Sequence, residues 1–169
     1  MVDENIKLMT PSLMPWEPRK PASEQIAVLM SGGVDSSVTA YLLKEKGWDV
    51  LGVTMKIPVS CDTGERSCWG ADAAFVCKQL GISHYFVDVA KPFEQLVIKP
   101  FRQAYAQGLT PNPCAECNAK VKFSVVWDYV RATFGIEYLA SGHYARISKT
   151  EDAVRLGRAK DKAKDQSYF

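Results

Sequence analysis

The sequence predicts an α/β fold, a Rossmann-like parallel sheet with helices on both faces. Short apolar runs alternate with segments of helical period along most of the chain, and Gly or Pro punctuates the changes. The first apolar run, Ile26–Met30, breaks at the pair Gly32-Gly33, and a helical pattern follows at once. Strand and helix repeated in this way call for a parallel sheet, because parallel neighbours need crossover connections.

The elements follow in order. Residues 1–24 carry Pro11, Pro15, Pro18 and Pro21 without any period and read as an irregular arm, which leaves residues 25–169 as one domain. Ile26–Met30 is a buried strand. Val34–Lys46 is a helix with Val38, Leu42 and Leu43 on one side, and Gly47 stops it. Asp49–Met55 is the second strand, and Lys56–Trp69 is a loop containing Pro58 and Gly64. Ala71–Leu80 is a helix ended by Gly81, with Cys77 on its apolar side as a core residue. His84–Val89 is the third strand, and His84 reads as structural. Pro92–Gln107 looks helical, with a kink or break expected at Pro100. Gly108–Cys117 is a loop. Asn118 is expected to cap a long helix running to Phe134, on which Trp127, Tyr129 and Phe134 read as core. Glu137–Ala140 is the fourth strand, and Tyr144–Ser148 with Ala153–Arg158 forms a hairpin. In such sheets ligands sit beyond the carboxyl ends of the strands, so the loops after Met30, Met55, Val89 and Ala140 are where chemistry is expected.

Composition sets outer bounds. A chain of 169 residues suffices for one domain with a real core, and 47% apolar with 24% charged residues is ordinary for a globular chain. The net charge of +2 does not advertise nucleic-acid binding, so a case for RNA must rest on local residues. No apolar run approaches the roughly 20 residues of a membrane span. The N-terminus has neither a signal core nor an Arg-rich transit character, which makes a cytoplasmic location the default and gives no membrane partner. Five cysteines, Cys61, Cys68, Cys77, Cys114 and Cys117, fit thiols, metal ligands or redox groups better than a disulfide frame.

Two segments carry chemistry. Ser31-Gly32-Gly33-Val34-Asp35-Ser36-Ser37 lies between a strand and a helix. Its glycines let the backbone approach an anion, and the new helix adds unpaired N–H groups and a positive dipole end. Ser36 and Ser37 can add hydroxyl donors. There is no lysine in the loop and the glycine spacing is not that of a dinucleotide fingerprint. Asp35 either helps to hold Mg²⁺ beside phosphates or is a favourable charge in the first helical turn. In the second segment, Gly108–Asn118, Pro111 and Pro113 stiffen the chain around Asn112, and Cys114 and Cys117 precede a helix that would favour their thiolates. Lys120 and Lys122 follow, each either a solvated charge or a phosphate contact.

SGGVDS resembles the signature of the ATP pyrophosphatases, the PP-loop enzymes, which cleave ATP between the α- and β-phosphates. Together with TPNPC-Ala-Glu-CN, KVKF, SGHYAR (Ser141–Arg146) and KDQSYF (Lys164–Phe169), in this order, it is similar to the tRNA-specific 2-thiouridylases from about Gln25 to the last residue. The resemblance implies the adenine nucleotide alpha hydrolase-like fold and ATP-dependent 2-thiolation of the wobble uridine in a tRNA anticodon loop. It implies ATP contacts from Leu29, Met30, Ser31, Gly32, Gly33, Val34, Asp35, Ser36, Met55 and Gly142. It places Asn112, Pro113 and Cys114 at the target base, sets His143, Lys164, Asp165 and Gln166 against the tRNA, and gives Cys117 the place of the first catalytic cysteine. ATP, Mg²⁺ and a sulfur-donor protein come with it.

Two departures stand out. Many members carry Asp where this chain has Cys114, so Cys114 and Cys117, with a third cysteine, could hold a [4Fe-4S] cluster; a persulfide scheme is the alternative. The family also continues past KDQSYF into a segment with a second catalytic cysteine and RNA-binding domains, so this chain by itself is expected not to thiolate tRNA efficiently. Rival readings are an ammonia-using adenylating synthetase and a non-catalytic nucleotide- or metal-binding remnant. Gly32→Val is expected to abolish ATP binding and leave the fold intact.

Overall fold

A computed structural model describes residues 7–9, 24–58 and 70–169. Strand β1 (Lys7–Met9) falls within the predicted arm and pairs antiparallel with β4 (Ser83–Asp88), so the arm is not wholly irregular. Strands β2 (Gln25–Leu29), β3 (Asp49–Lys56), β4 and β5 (Tyr138–Ala140) are parallel to one another, and the sheet order is β1-β4-β3-β2-β5. A separate hairpin, β6 (Ala145–Lys149) and β7 (Val154–Arg158), follows as expected.

Side-chain alternation along β2 divides the core in two. Ile26, Val28 and Met30 face one layer with Ala40 of α1 (Val34–Glu45) and Ala73 and Cys77 of α2 (Ala71–Leu80). Ala27 faces the other layer with Leu51, Val53, Val97, Val121, Val126 and Val130. The second layer is roofed by two long helices, α3 and α4, each carrying a wide π turn. Segments Ala90–Phe93, Glu94–Ile98 and Lys99–Ala106 run together as α3, and Pro113–Glu116, Cys117–Val126 and Trp127–Phe134 run together as α4. Tyr129 is buried and Phe134 packs against this core, as expected. Helices thus cover both faces of the sheet. No helix among the described residues is long and apolar enough to cross a membrane.

Two expectations about helices need correction. Pro100 does not break α3. The Lys99 N–H reaches back five residues to the Glu94 carbonyl, and this wider turn relieves the clash a proline ring makes in a regular helix. Asn118 is not a cap either, because α4 begins five residues earlier and Asn118 is buried inside it.

His84 is structural. Its ring is fully buried, and Nε2 lies 2.8 Å from the Thr54 hydroxyl. Burial lowers its pKa from 6.5 to about 4. The unfolded chain therefore takes up a proton first, and the stability present above pH 6.5 is lost as the pH falls through about 4. The expected loss is on the order of 3 kcal/mol. Melting temperatures measured from neutral pH down to pH 4 should fall less steeply for a folded His84→Gln variant than for the wild type; equal slopes would remove His84 from the account.

Candidate functional site

The exit of β2 is held by buried polar bonds. Met30 N donates to the Val53 carbonyl at 2.8 Å, and the Thr54 hydroxyl donates to the Met30 carbonyl at 2.8 Å. Beyond Met30 the chain turns through Ser31–Gly33 into α1. The Ser36 hydroxyl organises this turn from within: it accepts from Ser31 N at 3.2 Å and donates to the Gly33 carbonyl at 3.1 Å. The Ser37 hydroxyl also donates to Gly33 O, at 2.8 Å. Both serines, expected as donors to an anion, thus spend their protons on the loop backbone. Gly33 caps α1 without any side-chain hydrogen bond, so no side chain occupies the first-turn amides, the groups an anion would use.

The two glycines do different work. Gly32 has φ +82° and lies against the start of α2, where a Cβ would come 2.9 Å from Asp72 Cβ. Gly33 has ordinary φ of −80°, and a Cβ there would meet nothing closer than Ser31 Oγ at 3.4 Å. A third glycine matters as much. A Cβ on Gly142, in the turn after β5, would stand 2.7 Å from Ser36 N.

These elements enclose a cavity of about 370 Å³. Of the residues the resemblance gave to ATP, Leu29, Met30, Ser31, Asp35, Ser36, Met55 and Gly142 line it; Gly32 and Gly33 do not, and Val34 is 76% exposed on an adjoining groove that shares Asp35, Gly142 and His143. His143, Gln166 and Lys122 also line the cavity. His143 Nδ1 lies 2.6 Å from the Ser141 hydroxyl, and burial, then Lys122, lowers its pKa, which keeps the ring neutral. Asp35 Oδ1 accepts from the Tyr144 hydroxyl at 2.8 Å. Tyr144 in turn exchanges backbone bonds with the tail: its N–H donates to Gln166 Oε1 at 2.9 Å, and Gln166 N donates to its carbonyl at 2.8 Å. Lys164 Nζ sits 5.2 Å from the Tyr144 ring centroid. Asp165 is committed locally, its Oδ1 accepting from Ala159 N at 2.9 Å and Ser167 N at 3.2 Å. Tyr144 and Thr54 were missed in the sequence. Tyr144 stands inside the SGHYAR motif, and Thr54 is a polar residue in an apolar strand; either fact could have flagged them.

The cysteines lie on α4 and not in the loop before it. Asn112 is the N-cap, its Oδ1 accepting from Cys114 N at 3.1 Å and Ala115 N at 3.2 Å, and Pro113 opens the helix. Cys114 is exposed and Cys117 half-buried about one turn further. The favoured thiolate expected at Cys117 is not found: burial pushes its pKa up, Lys122 pulls it down and Cys114 pushes it up again. Among the described residues no three His, Cys, Asp or Glu side chains gather as a metal site, and Cys61 and Cys68 lie outside the described residues. Cys77 is core, its thiol pushed up to about 12 by burial.

A parallel sheet with helices on both faces, a glycine turn leading into an uncapped helix, and a cavity between the ends of β2 and β5 together define a doubly covered α/β domain with its crevice beyond the strand ends. The family model described as tRNA methyl transferase HUP domain matches residues 24–169, and the chain belongs to that family. It is similar to three curated proteins named tRNA-specific 2-thiouridylase MnmA: 47% identical over 150 residues to the first copy in Syntrophus aciditrophicus (86% of this chain, 40% of that one), 44% over 159 residues to the protein of Thermus thermophilus (86% and 42%), and 40% over 160 residues to that of Prochlorococcus marinus (85% and 38%). The chain therefore spans about 40% of the length of these relatives. A solved structure titled as a predicted subunit of tRNA methyltransferase from Methanocaldococcus jannaschii covers 70% of this chain and 52% of its own, at TM-score 0.49 and 21% identity, and adds nothing to the assignment.

The geometry revises the expected behaviour of Gly32→Val. Positive φ and contact with α2 make that substitution a fold defect, whereas the Cβ of Gly33→Val meets only Ser31 Oγ, at 3.4 Å, and its side chain would screen the first-turn amides of α1. Thermal melts should show Gly32→Val destabilised and Gly33→Val near wild type, and calorimetry should show ATP binding lost in Gly33→Val. Wild-type ATP affinity in a folded Gly33→Val chain would move the phosphates elsewhere.

Proposed function

We propose that this chain is the ATP-using unit of a tRNA 2-thiolating enzyme that acts on the wobble uridine in the cytoplasm. The observation that carries the reading is Lys122: it lines the nucleotide cavity and also acts electrostatically on the Cys117 thiol, so the adenylating and sulfur-handling parts adjoin. The names of the relatives support the choice of tRNA as substrate.

In this reading the α1 amides and the Ser31–Gly33 turn hold the departing phosphates, while Leu29 and Met55 give the base an apolar wall. Mg²⁺ would be held chiefly by the phosphates, with Asp35 as its protein carboxylate. Asn112, Pro113 and Cys114 form the rim that receives a base turned out of its stack, and His143, Lys164, Asp165 and Gln166 form the tRNA-facing edge. The uridine C2 oxygen attacks the α-phosphorus, the α–β phosphoanhydride bond breaks, and pyrophosphate leaves. Adenylation makes the former C2 oxygen part of AMP, which is expelled once sulfur has added to C2. The terminal sulfur of a persulfide supplied by a donor protein attacks C2, and Cys117 attacks the inner sulfur, closing a disulfide that a thiol reductant reopens. Cys117 held protonated by burial until base and sulfur are in place suits a resolving thiol. Among the described residues no third cysteine, histidine or carboxylate joins Cys114 and Cys117, which favours the persulfide route.

The test joins residues 1–169 to the remaining sequence of the Syntrophus aciditrophicus relative and measures 2-thiouridine by mass spectrometry after incubation with tRNA, ATP and a sulfur donor. Cys117→Ser should abolish product and Cys114→Ser should retain most of it. Full product from Cys117→Ser would refute its role, and joint loss of activity and iron in both variants under anaerobic conditions would favour a cluster. The 169-residue chain alone should form no 2-thiouridine over repeated turnovers; if it does, this division of labour is wrong.

A further inference from the structure

We propose that Lys122 contacts the α-phosphate of the bound nucleotide and is a catalytic residue of adenylyl transfer. The inference rests on the reading that the cavity takes ATP, and it assigns one side chain to one phosphate.

Lys122 is half-buried and lines the cavity together with Ser31, Ser36, Gly142 and His143. Among the described residues no carboxylate pairs with it. Lys120, two residues earlier, is the contrast: it is exposed, and its Nζ lies 2.5 Å from Glu116 Oε2. An ammonium drawn partly out of water without a counter-charge is costly unless an anion joins it. The other titratable groups on the cavity wall do not compete. Asp35 accepts from the Tyr144 hydroxyl and supplies no positive charge, and His143 is held neutral. Lys122 is thus the sole cationic side chain among the described residues lining the cavity.

Its place selects the phosphate. The end of the cavity at α1 already offers backbone amides and a positive helix end, which suit the two phosphates that leave. Lys122 comes from the opposite layer, on the helix that carries Cys117, and its charge is felt at that thiol and at His143. The atom that sulfur attacks and the leaving pyrophosphate stand on opposite sides of the α-phosphorus. A cation between the α1 loop and Cys117 therefore falls at the α-phosphate. As the C2 oxygen attacks there, charge builds on the non-bridging oxygens, and a positioned ammonium in a partly water-excluded site stabilises it. The same contact persists to AMP after pyrophosphate has gone.

AMP, pyrophosphate and ATP titrated separately into the purified chain by calorimetry test this directly. Lys122→Gln, and Lys122→Met as a variant that keeps an apolar stem, should weaken AMP and ATP by about tenfold or more. Pyrophosphate affinity and melting temperature should stay at wild-type values, and Lys122→Arg should recover most of the AMP affinity. Lys120→Gln should change none of these. Unchanged AMP affinity in a folded Lys122→Gln or Lys122→Met chain overturns the inference, as does loss confined to pyrophosphate, which would place the lysine at the leaving group. A wild-type chain that binds none of the three ligands would instead refute the nucleotide reading of the cavity, and this inference with it.

Discussion

Parallel pairing of β2 with β3 on one side and β5 on the other is the constraint on which the site depends. The chain leaves β2 towards β3 and β4, then returns across the sheet to lay β5 against the other edge of β2. At that reversal the connecting loops part to opposite faces and leave a crevice beyond the strand ends. The turn after β2 and the turn after β5 form its two walls, and they touch where Gly142 meets the first turn of α1. Any side chain on Gly142 would push these walls apart.

The crevice is held open by small, specific devices. Thr54 and His84 brace the end of β2 through two buried bonds of 2.8 Å, so the glycine turn starts from a rigid base. Ser36 spends its hydroxyl inside the turn, which shapes the backbone from within. Tyr144 joins Asp35 of α1 to Gln166 of the tail, so the two ends of the crevice share one connector. The roof of the other layer, α4, brings Lys122 to the same crevice and carries Cys117 five residues earlier on the same helix, whose first turn is capped by Asn112.

Much of the fold was legible in the sequence. Strand and helix order, the hairpin, the buried Cys77 and the structural His84 all follow from periodicity and glycine stops, because burial on one face imposes a short repeat that the chain must display. Most of the residues that line the cavity could be named as well, since a glycine turn between strand and helix is a local feature and its neighbours in sequence are its neighbours in space. A break at Pro100, a cap at Asn118 and a fold left intact by Gly32→Val read wrongly, and for one reason. Each depends on what packs against it: a π turn before Pro100, an earlier cap at Asn112, and α2 against Gly32.

The sequence by itself determined the alternation of elements, the glycine turn and the order of the motifs, all of which are written in residues close together along the chain. Only the tertiary structure decided which donors the turn leaves free, how burial offsets the helix end at Cys117, and that Lys122, 86 residues beyond Ser36, lines the same cavity. Hydrogen-bond partners, desolvation and unpaired charge are properties of surroundings, and the surroundings of a side chain exist only once distant segments have packed.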